Sequence, residues 1–76
     1  MATDRAVSGK EAVRALKKLG FLLDRVEGSH HMLIAPGHPH TIAVPIPGSK
    51  ALRRWTLAGI IRMAQVTRKQ FFDAIR

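Results

Sequence analysis

The chain has no cysteine. That absence removes disulfides and thiolate zinc sites together, and a chain of 76 residues in an oxidising compartment would normally rely on one of them. Acidic residues are scarce too, with five Asp and Glu against thirteen Lys and Arg and a formal net charge of +8. No apolar run reaches the length of a transmembrane helix, and the stretch from Met1 to Lys10, which includes Asp4, holds no signal-like apolar core. Glycines follow no phosphate-binding pattern, and there is neither an internal repeat nor a low-complexity segment. A cytoplasmic protein with no membrane association is the expectation.

What remains is 46% hydrophobic, distributed in short periodic blocks, as in a folded domain and unlike a disordered basic tail. One hydrophobic core is all that this length can support, so residues 1–76 are read as a single domain with little stability to spare. The positive excess favours a polyanionic partner through counterion release and long-range steering. Nucleic acid leads, although an anionic membrane surface or an acidic protein would answer the same charge.

Ser8 followed by Glu11 has the spacing of a capping box, with Val7 placed as a hydrophobic staple. The helix they open runs to about Leu19, with Ala12, Val13, Leu16 and Leu19 on one side, and Gly20 stops it. Lys10, Arg14, Lys17 and Lys18 form a basic stripe on the other side, which reads equally well as a phosphate track or a solvated face. Phe21 to Val26 and Ser29 to Ala35, separated by Glu27-Gly28, read as a β-hairpin. Ile42, Val44 and Ile46 alternate with smaller residues as a third, half-buried strand ended by Pro45 and Pro47. A small basic loop from Gly48 to Arg54 follows, then a helix capped by Thr56 and carrying Leu57, Ile60, Ile61 and Ala64. Thr67 and Gln70 repeat the capping-box spacing ahead of a short terminal helix with Phe71, Phe72 and Ile75 for docking. The fold class is α+β, in the order α-β-β-β-α. A three-stranded antiparallel sheet carries two helices on one face and a short C-terminal helix, similar in layout to the double-stranded-RNA-binding domain.

Gly28-Ser29-His30-His31 lies at the opening of the middle strand. Ladder bonds on both sides hold a side chain there more rigidly than a loop would. Imidazole titrates near neutrality and can take a proton from a 2′-hydroxyl or give one to a leaving oxygen, while Lys and Arg steady the charge on phosphate. Adjacent histidines point to opposite faces, however. His30 falls with Met32 and Ile34, His31 with Leu33 and Ala35; both sets are apolar, so parity does not choose between a site residue and a packed imidazole.

The order of motifs does choose. Leu19-Gly20-Phe21, then Gly28-Ser29-His30, then Val44-Pro45, then Thr56-Leu57 through Ile60-Ile61, closing on Val66-Thr67-Arg68-Lys69-Gln70-Phe71, resembles the HicA toxins of bacterial toxin-antitoxin pairs over nearly the whole chain. The resemblance implies an endoribonuclease acting on mRNA, with His30 as the catalytic residue and a HicB-type antitoxin as the partner that covers it. Two positions depart from the pattern: Trp55 and Gln65 stand where the family usually has glycine.

Trp55, beside Arg53 and Arg54, could stack on an unpaired base, but is expected as a partly buried packing residue. His38 and His40 lie in a Pro-Gly loop without a carboxylate nearby and are expected to be solvent-exposed; neither a metal nor a small-molecule cofactor is called for. No acid is placed to orient a Ser29-His30 pair as a nucleophilic triad, so Ser29 is assigned to the turn or to phosphate. The candidate RNA contacts are therefore Ser29, His31, Lys10, Arg14, Lys17, Lys50, Arg53 and Arg54. Two other functions use the same features: a non-catalytic double-stranded-RNA-binding module, or an interaction domain that meets an acidic antitoxin through charge.

Overall fold

Each end of the first helix is closed by a local device. The structure, a computed structural model, describes residues 5–46 and 51–76. Helix α1 spans Gly9–Lys18. The Glu11 N–H donates to Ser8 Oγ at 3.1 Å and the Ser8 N–H donates to Glu11 Oε1 at 3.1 Å, which completes the expected capping box. At the other end Gly20 takes a φ of 103°. The N–H groups of Gly20 and Phe21 then reach back to the carbonyls of Lys17 and Leu16, a Schellman closure that turns Phe21 into the core.

Strands β1 (Leu22–Glu27), β2 (His30–Ile34) and β3 (Ile42–Pro45) form one antiparallel sheet in the order β1-β2-β3. Gly28 and Ser29 alone connect Glu27 to its partner His30. Gly28 has φ 58° and Ser29 does not enter the positive-φ region, which is the pattern of a type II′ turn. A bulge between Leu23 and Arg25 lets Asp24 out of register.

Helix α2 spans Arg54–Ala64 and α3 spans Arg68–Ile75. The expectation that Thr56 caps α2 is overturned. The helix starts at Arg54 with Arg53 as N-cap and no side-chain cap bond, so Arg54 belongs to the helix and Thr56 lies half-buried in its first turn. The second capping box is present, with the Gln70 N–H donating to Thr67 Oγ1 at 3.0 Å and the Thr67 N–H to Gln70 Oε1 at 2.8 Å. Gln65 ends α2 in the left-handed region (φ 61°, ψ 40°), which explains why glycine suits that position.

The core joins Leu16 and Ala12 of α1, Leu33 of β2, Ile42 and Val44 of β3, Leu57, Ile60 and Ile61 of α2, and Phe71, Phe72 and Ile75 of α3. Helices α1 and α2 cover one face of the sheet, and α3 packs chiefly on α1. Full burial of a side chain such as Phe71, Leu16 or Leu33 stabilises by about 1.5–3 kcal/mol, so a handful of such residues carries the fold. One contact is closer than that of any other described glycine. A Cβ on Gly9 would lie 2.3 Å from the Pro45 carbonyl oxygen and 2.9 Å from Ile46 Cδ1, so α1 meets the end of β3 backbone to side.

Candidate nucleic-acid site

Burial sorts the two histidines. Leu33, Ile42 and Val44 are buried under the helices, and His31, in register with Val44, lies with them, half-buried. Its Nδ1 is buried and has no hydrogen-bond partner among the described residues. His30 therefore faces the opposite, open side of the sheet and is exposed to solvent. It is the first residue of the central strand, paired with Glu27 on one side and Pro45 on the other. The turn at Gly28-Ser29 and both ladders fix where that ring starts.

The same register sets Glu27 directly across from His30, but its carboxylate bonds to Arg25 and not to the imidazole, so among the described residues no acid orients a Ser29-His30 pair. A two-residue turn puts the residues at its two ends directly opposite each other, so the spacing Glu-Gly-Ser-His by itself places Glu27 across the strand pair from His30. Glu27 is engaged with Arg25, whose Nε donates to Oε2 at 2.5 Å, while Arg25 also meets Asp24 at 2.5 Å. These neighbours hold the Arg25 guanidinium above its ordinary range, Glu27 first and Asp24 second. The cation on His30's face is thus already matched by acids of its own strand.

The remaining predicted contacts do not gather on that face. Ser29 belongs to the turn, and its carbonyl accepts the Ile46 N–H at 2.7 Å. Lys10, Arg14 and Lys17 lie exposed on α1, and Lys18 donates to the carbonyl of Arg76. Arg53 and Arg54 are exposed where the chain enters α2, whereas Lys50 falls outside the described residues.

Two loop expectations are corrected. His38 is half-buried, edge-on to Phe21 at 5.0 Å between centroids. Its Nδ1 accepts the His40 N–H at 3.2 Å and its Nε2 lies 3.3 Å from the Ala64 carbonyl, partners that together require the proton on Nε2. The ring ties the Pro-Gly loop to the end of α2, and His40, also half-buried, packs against it. Trp55 is not a packing residue: it is 74% exposed. The described residues contain no group of three or more His, Asp or Glu placed to hold a metal, and no helix among them is long and apolar enough to cross a membrane.

Trp55 borders an open groove of about 640 Å³ between the segment leading into α1 and the start of α2. Arg5, Arg54 and Arg68 stand around it, and Val7, Leu52 and Leu57 are among its apolar lining. Leu52 donates its N–H to the Val7 carbonyl at 2.7 Å, and Ser8 pairs with Ala51 as an isolated bridge. The groove therefore lies at the end of the molecule where β3 leaves the sheet and β2 begins.

The family model described as the HicA toxin of bacterial toxin-antitoxin matches residues 9–66. No curated protein matches the chain in sequence.

Proposed function

The chain belongs to the HicA toxin family, the toxin half of a bacterial toxin-antitoxin pair, and from that premise we propose that it is an endoribonuclease cleaving mRNA with His30 as its proton-transfer residue. The observation that carries this is the exposure of His30 at the start of the central strand, on the face the helices leave open.

The imidazole takes the proton of a ribose 2′-hydroxyl as that oxygen attacks the adjacent phosphorus. The bond to the 5′-oxygen breaks, the leaving oxygen takes a proton from water, and the imidazolium later returns its proton to solvent, so the products are a 2′,3′-cyclic phosphate and a free 5′-hydroxyl. Basic side chains brought alongside the bound RNA answer the charge that grows on the non-bridging oxygens; Arg53, at the entry to α2, and Lys50, in the preceding loop of the sequence, are the candidates, although Arg53 does not share His30's face. The scheme draws on imidazole and basic side chains alone, so it predicts cleavage in EDTA. The toxin's partner is proposed to be a HicB-type antitoxin, which silences it by covering the open face around His30; the charge of +8 speeds its encounter with an acidic protein.

The test is purified protein with mRNA in EDTA beside the His30→Ala variant. Removing a general acid or base is expected to slow cleavage by about 10²–10⁴-fold while the circular dichroism spectrum stays the same. Equal cleavage by both proteins sinks the assignment of His30. RNA binding with no cleavage by the wild type would instead support a non-catalytic RNA-binding module.

A further inference from the structure

We propose that the groove beside Trp55 is a second RNA contact that holds one unpaired nucleotide, its base stacked on the indole and its phosphate met by Arg5 and Arg54. This rests on RNA being the ligand, as proposed above, but not on His30 cleaving it.

A tryptophan that is 74% exposed at the mouth of a groove gives up burial that the same ring could have had in the core. Its surroundings say what would cover it. The groove lining includes three arginines and no carboxylate, while its floor is aliphatic. A flat aromatic surface beside guanidinium groups is the combination that binds single-stranded nucleic acid, because every base has a face to stack and every nucleotide carries a phosphate. The volume of about 640 Å³ is within the usual range for a small-molecule site and leaves room for one base with its sugar and phosphate.

Two of the arginines, Arg5 and Arg68, are held by contacts of their own. Arg5 is held by Glu11 Oε2 at 2.9 Å and by the Ala6 carbonyl at 3.1 Å, and a guanidinium so oriented keeps further N–H donors for phosphate. Arg68 lies over the Phe72 ring at 5.6 Å on the other rim. The N-cap residue of α2, Arg53, makes no side-chain cap bond, and the first turn of this helix carries Arg54 and Trp55 with no acidic residue. Finally, the groove is tied to the site end. Val7 bonds to Leu52, and Gly9 abuts Pro45, the cross-strand partner of His30. The groove and the first residue of β2 are thus linked through the end of β3.

Trp55 is the chain's one tryptophan and there is no tyrosine, so intrinsic emission reports on this groove. The experiment is a fluorescence and affinity titration of the full chain carrying His30→Ala, with a short single-stranded RNA, its duplex, and polyglutamate of matched charge. The single strand is expected to quench Trp55. Adding Trp55→Ala is expected to weaken binding by about tenfold or more, with Trp55→Phe retaining most of the affinity, as loss of one stacked base predicts. Unchanged affinity in Trp55→Ala, or quenching by polyglutamate or duplex equal to that by the single strand, overturns the proposal. Cleavage that depends on His30 together with unchanged Trp55→Ala binding would sink this inference alone. Binding that depends on Trp55 in a wild type that cleaves nothing would sink only the nuclease.

Discussion

Alanine at Gly9 and alanine at Gly59 should move stability in opposite directions, although both glycines are helical. At Gly59, inside α2, an added Cβ meets nothing within 4 Å. The substitution therefore shows mainly its propensity effect, a gain of about 0.8–1.0 kcal/mol. At Gly9 the same atom arrives 2.3 Å from the Pro45 carbonyl oxygen, well inside contact distance, and the obstacle is backbone. Either α1 or the end of β3 must move by about an ångström, and forcing a methyl-sized group into packed structure costs roughly 1–3 kcal/mol. Propensity offsets little of this, since Gly9 occupies the first helical turn beside an intact cap. For a domain of this size about 1 kcal/mol corresponds to a shift of roughly 4–8 °C in Tm. Calorimetric or dichroism melts of the two single variants should place Gly59→Ala above the wild type and Gly9→Ala below it. A Gly9→Ala protein as stable as wild type would refute the packing argument, because Pro45 would then have room to yield at no cost.

The remaining predictions concern the ends of the helices. Gln65→Gly removes a side chain from a left-handed residue at φ 61°, and is expected to raise stability by about 1 kcal/mol, read as a higher Tm; an unchanged or lower Tm would contradict it. The Glu11 carboxyl is held below its ordinary value of 4.5, first by the Arg5 guanidinium and then by the Ser8 N–H. Because the folded value is the lower one, the stabilisation is complete above the unfolded value and is lost as pH falls through the folded one. The Tm advantage of wild type over Glu11→Gln should hold from about pH 7 to 5 and shrink below that range, and a gap that stays constant down to about pH 3 would remove the charge from the explanation.

How much of this was legible depended on how local the signal was. Both capping boxes, Ser8 with Glu11 and Thr67 with Gln70, were readable because each is complete within four residues. The inward parity of Ile42 and Val44 was readable because Ala43 between them faces out. Strand β2 was not, since Met32 and Ile34 put apolar atoms on the open face and only the covering helices break the tie. The start of α2 slipped because Arg53 caps without a capping side chain, leaving Thr56 as the false signal. Trp55 was assigned by the average behaviour of tryptophan, which burial in this particular fold overrides. His38 was assigned by its loop, and nothing within the loop says that Phe21 and the Ala64 carbonyl come to meet it. Gly9 carries a further signal: glycine directly after a helix cap is a poor helix former and needs a steric reason.

That steric reason bears on how loss of activity should be interpreted. Among the described residues, contacts that hold the end of the molecule carrying His30 include Ile46 to Ser29 at 2.7 Å, Leu52 to Val7 at 2.7 Å, the Ser8–Ala51 bridge, and Gly9 against Pro45. A change at any of them displaces β3 relative to β2 and to the Trp55 groove at once, and a misplacement of about 1 Å can cost as much as 10²-fold in rate without touching a reacting group. Gly9→Ala should therefore lower both Tm and cleavage, whereas His30→Ala, exposed and making no described side-chain bond, should lower cleavage with Tm unchanged. The pair separates position from chemistry. If His30→Ala lowered Tm as far as Gly9→Ala does, the loss of cleavage would follow from a disturbed strand end and would say nothing about proton transfer.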